Sequence, residues 1–191
     1  MGAPGHGQVR HRSDGAVRSP VAGNRPFRVP VTALRKHIGS TRRLVVEGTV
    51  DGLSALGVAV PDGSVLGADV ELCSDPGGVT VRGSVTADWV GECRRCGGPV
   101  AGRLTADVRE RFVPTDAPDG DEDAYPMEDD EIDLEPLVRD AALLELPLAP
   151  LCSDTCLGLC PQCGTNWNEG PCSCRPAADP RLPGRRPSVL H

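Results

Sequence analysis

Residues 79–112 read VTVRGSVTADWVGECRRCGGPVAGRLTADVRERF, and their patterning decides the fold. Val79, Val81, Gly83, Val85, Ala87 and Trp89 alternate with Thr80, Arg82, Ser84, Thr86 and Asp88. Beyond CRRCGG, Val100, Gly102, Leu104, Ala106 and Val108 alternate with Ala101, Arg103, Thr105, Asp107 and Arg109, and Phe112 rejoins the apolar set. A period of two sends one set to each face of a strand. Two such runs joined by a glycine-containing turn predict an antiparallel hairpin with one face covered. Working outward, Leu66, Ala68, Val70 and Leu72 alternate with Gly67, Asp69 and Glu71, which adds a third strand. Residues 27–31 read as a short strand, and 33–38 as a helical turn ending at Gly39.

The cover for the apolar face lies further on, in DLEPLVRDAALLELPLAP (133–150). Asp133 is placed to cap a helix and Pro136 falls in its first turn. Leu134, Leu137, Val138, Ala141 and Leu144 share a face, and Pro147 ends it. The expected class is α+β: an antiparallel sheet, as a meander or partly open barrel, covered by one C-terminal helix, with a small four-cysteine metal knuckle and disordered termini. The expected organisation is a disordered basic arm (1–26), a core (27–151) holding an acidic loop (116–131), a Cys-rich metal-binding segment (152–174) and a disordered tail (175–191).

Composition bounds the function. The 191 residues and 20.0 kDa suit one domain with a small satellite, and 23 glycines with 19 prolines assign much of the length to turns and tails. At 3% aromatic residues, a base-stacking platform is poorly supplied. No run approaches the roughly 18 apolar residues of a membrane helix. The start, MGAPGHGQVRHRSDG, has no apolar segment of the secretory kind, so the cytoplasm is the expected compartment. There, nine cysteines read as metal ligands before disulfides. The net charge of −7 averages over blocks: residues 1–46 hold nine bases and one acid, and 116–135 eleven acids and no base. Solvated tails and a loop explain such blocks. A functional reading has the arm touching nucleic acid and the acidic loop meeting a basic partner.

Eight cysteines are paired, as Cys93/Cys96, Cys152/Cys156, Cys160/Cys163 and Cys172/Cys174; Cys73 stands alone and reads as a small buried apolar residue. Short spacings let two thiolates face one ion, and a structural zinc takes four, so up to two zinc sites are expected. Cys160, Cys163, Cys172 and Cys174 lie together in CPQCGTNWNEGPCSC and form one local set. Cys93, Cys96, Cys152 and Cys156 would form the other, stapling the hairpin tip to the end of the helix. Two alternatives stay open: Cys152 and Cys156 could join the local set and leave Cys93 and Cys96 as a plain turn, and an iron–sulfur cluster could replace zinc. Catalysis is not expected. Four-thiolate sites are closed, no phosphate loop or nucleophile elbow is present, and His37, the one histidine outside the tails, reads as structural.

GECRRCGGPV (91–100) and LCSDTCLGLCPQCGTNWNEGPCSC (151–174), separated by the acidic block and the Leu-rich helix, resemble the YceD family, in its actinobacterial type with a C-terminal cysteine cluster. The resemblance covers 27–174. It implies a cytoplasmic, non-catalytic factor in the synthesis, processing or stability of large-subunit ribosomal RNA. The basic arm, Trp167 where leucine is usual, and the Arg-rich tail depart from that pattern. The expected partner is this RNA or a pre-ribosomal particle, with no membrane. Arg82, Arg103, Arg109 and Arg111 on the polar sheet face, and Arg94 and Arg95 at the hairpin tip, are the candidate RNA contacts. Against this, residues 27–113 carry eleven bases and ten acids, so no strong basic field exists there. The competing reading is a binding module whose acidic loop holds a basic ribosomal protein.

Overall fold

The computed structural model describes residues 25–116 and 123–174. The arm up to residue 24, residues 117–122 and the tail from 175 lie outside the described residues. In chain order the elements are β1 (Arg28–Pro30), α1 (Thr32–Arg35), β2 (Thr41–Thr49), β3 (Ser54–Ala55), β4 (Val58–Ala59), β5 (Val65–Asp75), β6 (Gly78–Glu92), β7 (Pro99–Pro114), β8 (Tyr125–Glu128), β9 (Glu131–Asp133) and α2 (Glu135–Glu145).

The alternating runs fold as the central strands. β6 and β7 pair antiparallel along their length, from Val79 opposite Phe112 to Glu92 opposite Pro99. The other edge of β6 is shared. Its first half pairs with β5, which pairs with β2, and Val90 and Gly91 pair with β4 of the β3–β4 hairpin. Beyond β7 the order continues through β8 and β9 to β1.

One pairing corrects the antiparallel expectation. β8 runs parallel to β7, with Phe112 opposite Tyr125 and Val113 opposite Pro126, so the sheet is mixed. The crossover passes through the acidic block, whose charge and lack of periodicity hid a strand of four residues. Residues 116–131 are therefore not loop throughout: the block holds β8 and a turn at Asp129 and Asp130, both at positive φ, and Glu131 opens β9. β2 also escaped the sequence reading, because outward Val45 breaks the alternation of inward Leu44 and Val46 with polar neighbours.

The sheet curls into an open half-barrel whose end strands approach each other. The Arg42 guanidinium donates to the Pro30 carbonyl at 3.3 Å, spanning β2 and β1. On the same side, a Cβ on Gly48 would lie 2.5 Å from Pro26 and 2.7 Å from the Phe27 ring. The interior is built from valine and leucine around Phe27 and Phe112, and Phe112 stacks on Tyr125 with centroids 5.2 Å apart. Two glycines permit close approaches. Gly83, at φ +155, brings β6 so near β5 that a Cβ would meet the Asp69 carbonyl oxygen at 2.1 Å. The Trp89 indole covers Gly102 across the hairpin, 2.7 Å from where its Cβ would stand.

α2 closes the core against β6 and β7, burying Leu137, Val138 and Ala142, with Leu134 before it and Leu146 after. Asp133 serves the helix one position earlier than expected: Leu134 occupies the N-cap, and the Glu135 N–H donates to Asp133 Oδ1 at 3.0 Å. Leu144 departs from the predicted face. At 3.6 residues per turn, the direction shared by buried Leu137, Val138 and Ala142 lies roughly 100° around the axis from Leu144, which is 86% exposed. No helix among the described residues is long and apolar enough to cross a membrane.

These two leucines give a direct test. Leu137→Ala is expected to lower unfolding free energy in urea by about 2–5 kcal/mol, whereas Leu144→Ser should change it by less than about 0.5 kcal/mol.

Candidate metal centres

The β6–β7 connection is too tight to be a passive loop. The Cys93 N–H donates to the Gly98 carbonyl at 2.7 Å and the Gly97 N–H to the Cys93 carbonyl at 2.8 Å, with Gly97 at φ +70. The same turn recurs at Cys160: its N–H donates to the Thr165 carbonyl at 2.8 Å, and Gly164, at φ +74, donates to the Cys160 carbonyl at 2.9 Å. In each Cys-x-x-Cys-Gly the glycine adopts the left-handed conformation that bends the chain back, so both sulfurs face one point.

Three links bring the segment after α2 to the hairpin tip. The Arg94 N–H donates to the Pro150 carbonyl at 2.9 Å. The Arg94 guanidinium reaches the carbonyls of Leu56 at 3.1 Å and Leu148 at 3.3 Å. Arg95 donates to the carbonyls of Asp154 and Cys156, each at 3.0 Å. Cys152 and Cys156 are thereby laid against Cys93 and Cys96, at Sγ–Sγ distances of 3.8 Å for Cys93–Cys156 and 3.7 Å for Cys96–Cys152.

Two sets of four sulfurs result, Cys93/Cys96/Cys152/Cys156 and Cys160/Cys163/Cys172/Cys174, the sulfurs of each within 4.8 Å of one another. A tetrahedron with metal–sulfur bonds of about 2.3 Å has edges of roughly 3.8 Å, so the first set's spacings fit an ion at its centre. Each set could hold one. Cys93, Cys156 and Cys160 are buried, while Cys152 and Cys163 reach the surface.

The thiols of each set disagree in acidity, as groups crowded around a common point must. Backbone N–H groups, that of Cys152 foremost, hold Cys93 down to about 6, while the adjoining Cys156 and Cys96 sulfurs push Cys152 up to about 12. In the second set the Thr165 hydroxyl holds Cys163 down to about 6, and Cys163 in turn drives Cys174 up to about 12. Four thiolates so close repel one another unless a cation lies between them.

Three polar groups missed by the sequence reading also face sulfur. Trp167 Nε1 donates to Cys172 Sγ at 3.4 Å, Asn168 Nδ2 to Cys156 Sγ at 3.3 Å, and the Thr165 hydroxyl lies 3.1 Å from Cys163 Sγ. Their only sequence signal was the unexplained TNWN between two cysteine pairs.

The candidate RNA contacts are dispersed. Arg94 and Arg95 spend their head groups on the carbonyls above. Arg82 pairs with Glu71 at 3.1 Å and Arg103 with Asp88 at 3.6 Å across strands, and Arg43 pairs with Asp69 at 2.8 Å on the same face. Exposed pairs of this kind contribute only about 0.2–1 kcal/mol, so their main effect is to cancel the field of the face. Arg109 lies exposed opposite Arg82 in the ladder, and Arg111 donates to the Pro76 carbonyl at 3.2 Å. Two single residues differ from expectation. Cys73 is half-buried on the outer face between Thr41 and Thr80, because an odd register position in β5 points away from the core, and His37 is exposed in the turn after α1.

Comparison with known proteins adds a family. The family described as "Large ribosomal RNA subunit accumulation protein YceD" matches residues 81–184, a span containing all eight clustered cysteines. An uncharacterized protein of Mycobacterium tuberculosis is 36% identical over 163 residues, covering 82% of this chain and 78% of its own length. One from Mycobacterium leprae is 34% identical over 148 residues, 74% of this chain and 67% of its own. The Zea mays protein named "Large ribosomal RNA subunit accumulation protein YCED homolog 1, chloroplastic" is 40% identical over 68 residues, 31% of this chain and 23% of that protein. No solved structure matches the chain significantly.

Elemental analysis of the purified protein is expected to find two transition-metal ions per chain, and one after Cys172→Ser with Cys174→Ser. Chelation should collapse the amide NMR dispersion of 152–174 while the amides of β5, β6 and β7 keep theirs, since the valine-rich interior does not depend on the ions.

Proposed function

The chain belongs to the YceD family, and on that premise we propose that it is a non-catalytic factor supporting the synthesis, processing or stability of large-subunit ribosomal RNA, acting in the cytoplasm where ribosomes are assembled. The observation that carries this reading is the family match across 81–184, which takes in the hairpin, the helix and both cysteine sets. The plant relatives named for the same RNA point the same way. Zinc at the two sets is the structural part of the proposal. Four thiolates supply a closed coordination shell, which fixes chain segments and leaves no position for an activated water. Zinc bound there would lock the hairpin tip to the chain after α2, and a rigid surface of this kind suits a factor that docks on a particle.

The Arg face is a weaker RNA platform than its sequence promised. Arg82 and Arg103 are paired with acids, Arg94, Arg95 and Arg111 donate to carbonyls, and Arg109 is exposed beside Arg82. This favours a second reading for the mode of docking: exposed Glu128 and Asp129, with the acidic residues around them, receive a basic ribosomal protein.

Loss of the gene should lower large-subunit ribosomal RNA relative to small-subunit RNA, and the wild-type chain should restore the ratio. An unchanged ratio would refute the proposal. Failure of Arg103→Glu with Arg109→Glu to restore it would identify direct RNA contact, and failure of Glu128→Gln with Asp129→Asn would identify the protein-docking mode. Crosslinking the tagged chain in cells reads the partner independently.

A further inference from the structure

The two sulfur sets are not independent neighbours. The segment GTNWNEG (164–170) leaves the second Cys-x-x-Cys turn and returns to Cys172. On the way it crosses to the first set. The Trp167 N–H donates to the Gly158 carbonyl at 2.9 Å, and Leu159 and Asn166 form a β-bridge, which lays the segment along the chain leaving Cys156. At its apex, consecutive residues serve different sets: Trp167 Nε1 donates to Cys172 Sγ at 3.4 Å and Asn168 Nδ2 to Cys156 Sγ at 3.3 Å.

The orientation of the Asn168 amide is fixed by its partners. Oδ1 accepts the Leu157 N–H at 2.8 Å, so the opposite edge of the amide is the donor. Nδ2 then has two acceptors, Cys156 Sγ and, at 2.8 Å, Asn166 Oδ1, and Asn166 is held in turn by Glu169 at 2.9 Å. A donor aimed at a thiolate stabilises its charged form, which is the form that binds metal.

We infer that Asn168 couples the two sites: an ion held by Cys160, Cys163, Cys172 and Cys174 orders the segment that presents the Asn168 N–H to Cys156, and so tightens ion binding by Cys93, Cys96, Cys152 and Cys156. Asn168 is a positioning residue that binds no metal itself. The coupling is reciprocal by linkage, so a filled first site also favours the second. The inference rests on both sets binding metal, as proposed above, and not on the RNA role.

The test uses the full chain loaded with cadmium and read by cadmium NMR, the two resonances being assigned through the Cys172→Ser, Cys174→Ser variant. Competition with a chelator gives each site's affinity. Asn168→Ala is expected to weaken the first site by about 10–100-fold and to move its resonance, while the second site, read in a Cys93→Ser, Cys96→Ser background that empties the first, keeps its affinity. Asn168→Asp keeps an oxygen for the Leu157 N–H but removes the donor toward sulfur, so it should weaken the first site at least as much. The Cys172→Ser, Cys174→Ser variant should weaken the first site to a similar degree, with little added by Asn168→Ala. Wild-type affinity in Asn168→Asp would show that Asn168 only shapes the loop, and would overturn the inference. Weakening of the second site by Asn168→Ala in the Cys93→Ser, Cys96→Ser background would also overturn it. A wild-type chain that binds no cadmium at the first set would overturn the metal reading together with the coupling, a result readily told apart from the other two.

Discussion

The tip of the long hairpin is held to the chain that follows the C-terminal helix, and the placement of both cysteine sets depends on that fastening. Strands β6 and β7 extend well past the interior they help to build. At their far end, beyond Trp89, which still packs on the core, the inward positions are Gly91, Val100 and Gly102, which offer little to pack. Four sulfurs replace the missing apolar contact there, and the Arg94 and Arg95 side chains reach backbone carbonyls that bring the second pair of cysteines into place. With few aromatic residues in the chain, clustered sulfurs and arginine–carbonyl bonds stand where large side chains would otherwise anchor such an overhang.

The parts of the fold legible in the sequence were those with repeated structure. A long unbroken alternation needs no tertiary information to be read as a strand, and β5, β6 and β7 emerged at close to their observed bounds. β8 and β9 are too short to show a period, and their acidic surroundings argue for solvent until Phe112 is seen stacking on Tyr125. The direction of β8 was likewise hidden. Strand polarity follows from the path of the crossover, and that path leaves no local signature. Leu144 shows a further limit: helical periodicity marks a stripe, but the width of the partner surface decides where the stripe stops being covered.

For the site, spacing suggested how the cysteines divide, because a ligand pair two or three residues apart behaves as a unit. The structure gathers the same two sets, each of which could hold an ion. The arginines were less legible. Their positions on the outer face follow from the alternation, but whether a guanidinium is free depends on which acid stands across the ladder. That depends on register: Arg82 faces Glu71, and Arg103 faces Asp88, through pairings between separate strands. Arg94 and Arg95 looked like surface charge beside a thiolate pair and proved to be part of the framework.

The two Cys-x-x-Cys-Gly turns close through main-chain hydrogen bonds, with the same donor and acceptor positions in each. Nothing in that geometry depends on the identity of the two intervening residues. One copy fills them with Arg94 and Arg95, which tether neighbouring chain; the other holds Pro161 and Gln162, both turned to solvent. A single mould has thus been cast twice with different inserts, and its variable dipeptide is a place where evolution, or an engineer, can change what the knuckle touches while its shape is kept.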